Sequence, residues 1–191
     1  PCRFMLVAAM NPCPCGYFGH PTHPCLCSPH AVERYLGKVS GPLLDRIDLH
    51  IEVTPVSIQE MASAERGEPS AAIRRRVVRA REVQRDRFRG VAGVYTNAMM
   101  TGRMVREYCP IDAEARTLLE RAMERLSLSA RAYDRILKVA RTIADLAGDE
   151  RIGTAPIAEA RLAHGGLVFV TTPRDFSLRL SVIDRPKAWP V

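Results

Sequence analysis

An α/β segment with parallel strands, then an all-α domain, then an irregular C-terminal tail: this is the architecture the sequence predicts. Three observations lead there. Residues 4–10 (Phe-Met-Leu-Val-Ala-Ala-Met) form an unbroken apolar run, the pattern of a strand buried on both faces of a parallel sheet. Composition then shifts to Ser, Gly, Glu and Pro over residues 57–69, as in a linker. Beyond it, apolar residues recur at helical spacing behind capping residues as far as residue 160.

The first strand ends at Asn11-Pro12, and residues 11–28 hold so much Pro, Gly and Cys that they must be loop. Ser28-Pro29 supplies an N-cap and a Pro at the first helical position, and Gly37 closes that short helix. Residues 49–56 alternate as a second strand does, with Pro55 near the end. These elements make up a first part, 1–60. Ser70 is expected to cap a helix reaching Arg89, with Ile73, Val77, Ala80, Gln84 and Phe88 on one face. Its other faces carry eight arginines between Arg74 and Arg89, against only Glu82 and Asp86. Thr101 starts a helix ending near Tyr108, and Asp112 starts another carrying Leu118, Leu119, Ala122, Met123 and Leu126. Ser129 caps the longest helix, which Gly148 stops. These helices form the second part, 70–160. In the tail, 161–191, residues 167–170 and 176–182 either pair as a hairpin around Thr172-Pro173-Arg174-Asp175 or belong to a loose terminus.

A chain of 191 residues suits one domain, or one with a smaller neighbour, and is long enough to bury a core. Its apolar fraction of 47% and charged fraction of 26% exclude wholesale disorder. No apolar stretch approaches the roughly 18 residues of a membrane span, and no signal segment opens the chain, so the cytoplasm is the expected compartment. Pro1-Cys2-Arg3 leads straight into the first strand without an initiator Met, as in a domain entered part-way. Lys+Arg exceed Asp+Glu by 28 − 21 = +7, and only Lys38, Lys138 and Lys187 are lysines. Such a balance reflects either a polyanionic partner or a coding bias toward Arg.

Four constellations bear on chemistry. Cys13-Pro14-Cys15 and Cys25-Leu26-Cys27 are two C-x-C pairs separated by nine residues. In a reducing compartment four cysteines in one loop read either as free thiols or as thiolate ligands of a closed structural Zn²⁺ site. His20, His23 and His30 are alternative ligands, while Cys2 and Cys109 read as buried thiols. Asn11, at the C-terminal end of the first strand, is either a turn residue or an amide that orients a water where α/β sheets bind ligands. Arg46 lies between Asp45 and Asp48: either an ion pair, or a guanidinium that stabilises a transferring phosphoryl group across a subunit boundary. Arg131, Arg135 and Lys138 fall at i, i+4 and i+7 on the longest helix, a solvated basic face or an anion-binding one. Arg131 stands in the first turn, where a cation opposes the helix dipole.

Together, residues 7–16, Ser40-Gly41-Pro42-Leu43-Leu44-Asp45-Arg46-Ile47-Asp48 and the long segment 128–146 resemble the AAA+ ATPases related to the magnesium-chelatase I subunit, most closely the ComM/YifB branch. The resemblance covers 1–160 in order. It implies a remnant of an AAA+ core over 1–60, with a cysteine-rich insertion at 11–28, and a helical lid over 70–160. By the same resemblance Asn11 takes the place of sensor 1, Arg46 of the arginine finger and Arg131 of sensor 2. ATP and Mg²⁺ are then the cofactors, a hexameric ring of identical chains the assembly, and branched DNA in recombination or competence the substrate. A chelatase motor for porphyrin metallation and a non-catalytic, zinc-bearing DNA-binding or scaffold module are the alternatives. No G-x-x-x-x-G-K-[ST] loop occurs in the sequence, and its one adjacent Asp-Glu, Asp149-Glu150, follows a helix stop, not a strand. The chain therefore reads as the C-terminal part of such a motor, inactive alone. Past Ala160 the family pattern breaks into Arg161-Leu162-Ala163-His164-Gly165-Gly166, and the tail receives no role.

Overall fold

The computed structural model describes residues 4–44, 46–53, 62, 67–125, 128–163 and 168–170. Among these, seven α-helices, one 3₁₀ turn and one pair of short strands are present. The chain divides at residue 46 into two compact units.

In the first unit, residues 4–10 form no strand. They run irregularly with Phe4, Met5 and Val7 each more than three-quarters exposed. The expected parallel strand fails for a physical reason: a strand needs a neighbour for its N–H and C=O groups, and no described segment pairs with this one. The cysteine loop follows, bent at Gly16 and Gly19, whose φ values of +84° and +78° suit glycine. Helix α1 (Pro29–Leu36) starts as expected: Ser28 Oγ accepts the Ala31 N–H at 3.3 Å, and Pro29 opens the first turn. Helix α2 is a single turn (Gly41–Leu44).

The second unit is helical apart from one ladder. Strand β1 (Ile51–Val53) lies within the expected strand 49–56 and pairs in parallel with β2 (Val168–Val170), Ile51 opposite Val168. Residues 168–170 thus join β1; the segment 176–182, their expected hairpin partner, lies outside the described residues, as do Cys2, Asp45 and most of the expected linker. Among the described residues the α/β character is limited to this ladder.

Helix α3 (Ser70–Arg87) is capped by Pro69 and not by Ser70. Pro69 has the extended backbone of a cap residue (φ −68°, ψ 141°), so Ser70 is already helical and its side chain caps nothing. Of the apolar face expected on α3, Ala80, Gln84 and Phe88 are buried, whereas Val77 is 46% exposed. Among the described residues, the helix's buried side chains lie in its C-terminal half. A 3₁₀ turn (Asn97–Met99) leads to α4 (Gly102–Tyr108), where Thr101 Oγ1 accepts the Met104 N–H. Helix α5 (Ala113–Arg125) begins where Asp112 Oδ1 accepts the Ala115 N–H at 2.7 Å. Helix α6 (Ala130–Ala147) has the expected bounds: Ser129 Oγ accepts from Ala132 N–H at 3.2 Å, and Gly148 ends it with φ +86°. A further helix, α7 (Thr154–Ala163), had not been separated in the sequence.

Helix α6 is the centre. Ala132, Ile136, Leu137, Ala140, Arg141, Ala144 and Asp145 are its buried residues, spaced as one helical face. Three alanines let α7 and α3 approach closely, while Ile136, Val105, Leu119, Ile152 and Ile157, all fully buried, fill the space between. Phe88 and Tyr108 meet edge to face at 5.4 Å. Main-chain bonds from Asp112 N–H to Ile152 O and from Ile152 N–H to Pro110 O join the two inter-helix loops.

Two members of that buried face are charged. Asp145 accepts from Arg87 through both carboxylate oxygens (2.5 and 2.7 Å), from Arg141 Nε at 3.0 Å and from Asn97 Nδ2 at 2.8 Å. Arg141, 1% exposed, also donates to the carbonyls of Asp149 and Glu150 at the negative end of α6. Asn97 Nδ2 donates to Thr142 Oγ1, and its backbone N–H to Gln84 Oε1. Burial by itself raises the Asp145 pKa; hydrogen bonds from Arg87 and Asn97, with the charges of Arg87 and Arg141, bring it below the usual carboxylate value.

No helix among the described residues is long and apolar enough to cross a membrane.

Replacing Asp145 by Asn leaves two enclosed guanidinium groups without their counter-charge, an expected loss of about 3–5 kcal/mol in urea unfolding. The sign with pH follows from the lowered pKa. Ionised Asp145 stabilises the fold above the unfolded carboxylate pKa, and its contribution disappears as pH falls through the folded value. The difference between wild type and Asp145→Asn should therefore be full near neutrality and shrink below about pH 4; a constant difference down to pH 2 would refute this.

Candidate functional site

The four loop cysteines converge. Their Sγ atoms all lie within 4.8 Å of one another, with Cys13–Cys15 at 3.3 Å, Cys15–Cys25 at 3.6 Å and Cys13–Cys25 at 3.7 Å. Around a tetrahedral Zn²⁺ with bonds of about 2.3 Å, sulfurs stand about 3.8 Å apart, so donor set and spacing both fit a closed thiolate site. All four are free thiols, as is Cys109. Gly16 N–H bonds to Cys13 O at 3.1 Å, turning the chain after the first pair, where Gly16 has φ +84°. Cys13 is fully buried and its sulfur accepts the Phe18 N–H at 3.3 Å.

The sulfurs differ in proton affinity. The Tyr17 backbone hydrogen bond, then that of the Cys13 side chain, lower the Cys15 pKa to about 6. Hydrogen bonding from the Cys27 backbone favours the Cys25 thiolate, but desolvation and the neighbouring sulfurs prevail and raise its pKa to about 12. A bound cation would favour the thiolate form of its ligands and release their protons. The histidines are not part of this cluster. His20 Nδ1 accepts from the Thr22 and His23 N–H groups, and the His20 and His23 rings group with Tyr17 at 4.9–5.6 Å.

Asn11 is exposed where the extended segment enters the cysteine loop. Arg46 is exposed too, with Nη1 donating to Pro42 O at 2.5 Å across the turn of α2. Asp48, one of its two expected partners, binds Arg135 at 3.3 Å, and the other, Asp45, lies outside the described residues. The basic face expected on α6 is divided by its surroundings. Arg135 is largely enclosed against Asp48, and Lys138 donates to Ala98 O at 3.3 Å. Arg131 alone of the three stays exposed without a partner among the described residues.

Sequence reasoning had not identified the Arg87–Asp145–Arg141–Asn97 network. Its signals were polar residues on apolar faces: Gln84 in the stripe of α3, and Arg141 with Asp145 in that of α6. Cys109, expected to be a buried thiol, is one, and burial raises its pKa to about 11.

Comparison with known families and proteins adds independent information. Residues 67–162 match the family described as magnesium chelatase, subunit ChlI C-terminal, and residues 1–61 that of magnesium chelatase, subunit ChlI. The competence protein ComM of Haemophilus influenzae is 44% identical over 163 residues, covering 84% of this chain and 30% of that protein. An uncharacterized protein of Mycobacterium tuberculosis is 41% identical over 162 residues, covering 84% of this chain and 31% of its own length. The uncharacterized protein YifB of Escherichia coli is 40% identical over 163 residues, with 84% and 30% covered. The chain thus spans a little under a third of the curated relatives it matches.

The purified chain is expected to hold about one equivalent of a thiophilic divalent metal. Elemental analysis should find it absent from Cys13→Ser and Cys27→Ser; a folded wild type free of metal would reject the site.

Proposed function

Because this chain belongs to the AAA+ family of the magnesium chelatase ChlI subunit, we propose that it is the C-terminal part of a ring-forming motor ATPase acting on DNA. Residues 1–60 then contribute to the ATPase core and 70–160 form its lid. ATP and Mg²⁺ are cofactors of the complete hexameric ring, whose phosphate loop belongs to sequence outside these 191 residues.

The observation that carries the reading is Arg131. It is an exposed cation, without a partner among the described residues, in the first turn of α6, where the helix dipole disfavours it. Its two companions on that face are engaged with Asp48 and Ala98. An anion beside Arg131 offsets the unfavourable placement, and as sensor 2 it contacts nucleotide phosphate. Arg46, held by one main-chain bond on an exposed turn, is free to reach a neighbouring subunit's γ-phosphate as an arginine finger. Asn11 acts as sensor 1, orienting the attacking water with its amide. The thiolate quartet holds Zn²⁺ as a structural ion, because four sulfurs leave no open ligand position.

Support for DNA comes from the competence protein among the relatives and from the +7 charge. The description of the family favours a second reading, a chelatase motor that helps insert Mg²⁺ into a porphyrin. ATP turnover by the complete ring separates them: stimulation by branched DNA supports the first, stimulation only by a porphyrin-binding partner the second.

In the complete ring, Arg46→Ala should lower kcat by about 10³-fold or more while leaving ATP affinity within a few-fold. The 191-residue chain alone should show no turnover. Turnover by the chain alone, or an Arg46→Ala ring with normal kcat, would sink the assignment.

A further inference from the structure

Among the described residues, the buried side chains of α3 lie toward its C-terminal end. Its second half is held by Ala80, Gln84 and Phe88 and by the Arg87–Asp145 bond. The first half projects a shallow depression lined by Ala71, Arg74, Arg75, Val78, Arg79 and Glu82. Arg74, Arg75 and Arg79 are all exposed, and none has an ion-pair partner among the described residues. Their neighbours differ: Arg76 is held by Glu68 at 2.5 Å and Arg89 by Asp86 at 2.6 Å.

Arg75 and Arg79 stand at i and i+4, a like-charge pair that weakens a helix in water. Glu82, at i+3 from Arg79, is the one acid on the face, which keeps a net positive charge. The backbone positions of the three arginines span about 7.5 Å of helix axis. A nucleic-acid backbone carries one charge per about 3.4 Å of each strand, so a single strand offers consecutive phosphates over that span. The planar fork of Arg matches phosphate oxygens. A protein partner fits less well, because interface cores are depleted of charge and Val78 is the only large apolar group in the depression.

We propose that this face of α3 is a binding site for the phosphodiester backbone of DNA, engaged through Arg74, Arg75 and Arg79. It takes DNA as partner from the proposed function but needs no nucleotide. The experiment therefore uses the full chain without ATP.

Binding to a fluorescent duplex, and to a single strand of equal length, is followed by anisotropy between 50 and 200 mM salt. For wild type, log K should fall against log salt with a slope of about −2.7 or steeper on the duplex, about 0.9 per phosphate. Arg74→Glu/Arg75→Glu/Arg79→Glu should weaken binding at least tenfold and flatten the slope by about 2.7; the corresponding triple Lys variant should keep the slope. Arg116→Glu/Arg121→Glu/Arg125→Glu, an equal charge change on the exposed face of α5, should stay within about threefold of wild type. The tighter of the two oligonucleotides identifies the strand form recognised. An equal loss in the α5 variant, a flat salt response, or no binding would each overturn the site. DNA stimulation of ATP turnover in the complete ring is a separate measurement, so failure here leaves the motor reading to stand or fall by that one.

Discussion

The carboxylate of Asp145 ties together three segments that hydrophobic contact alone would leave free to slide. Arg87 reaches it from the end of α3, Asn97 from the 3₁₀ turn, and Arg141 from one turn earlier on α6. Each of these groups is costly to enclose singly. Together they satisfy one another, and the surplus positive charge is met by the Asp149 and Glu150 carbonyls at the end of α6. Apolar packing around Leu119, Ile136 and Ile157 supplies most of the burial, but it is nondirectional. The bidentate pair sets the register of α3 on α6, because only one rotation of α3 brings Arg87 and Gln84 inward together.

That register has consequences for the surface. With Gln84, Arg87 and Phe88 turned inward, the remaining arginines of α3 are exposed. On α6 the same rotation puts Arg135 against Asp48 and Lys138 over the 3₁₀ turn, so a stripe of three cations is reduced to Arg131. A basic helix in sequence thus becomes, by packing, a division between cations that hold the fold and cations left for a ligand.

The first unit works on a different principle. It buries little beyond Cys13 and Val32, and its order comes from turns, glycines with positive φ and the convergence of four sulfurs. Its four sulfurs form a donor set that thiolate–metal cross-links would suit. The apolar run at 4–10 has the pattern of a sheet strand and finds no neighbouring strand among the described residues.

Local chemistry was largely readable from the residues, Ser70 being the exception because Pro69 takes the cap position of α3. Ser28, Thr101, Asp112 and Ser129 cap the helices they were expected to cap, Gly148 ends α6, and the two C-x-C pairs meet, because each signal acts within a few bonds of itself. What sequence could not determine was every outcome that needs a distant partner. Whether residues 4–10 become a strand depends on neighbours; which cations of α3 and α6 are consumed depends on acids and carbonyls up to 58 residues and more away, as with Arg87 and Asp145. Charge at a position is written in the sequence, but its availability is not, since an ion pair is a property of two positions that only folding brings together.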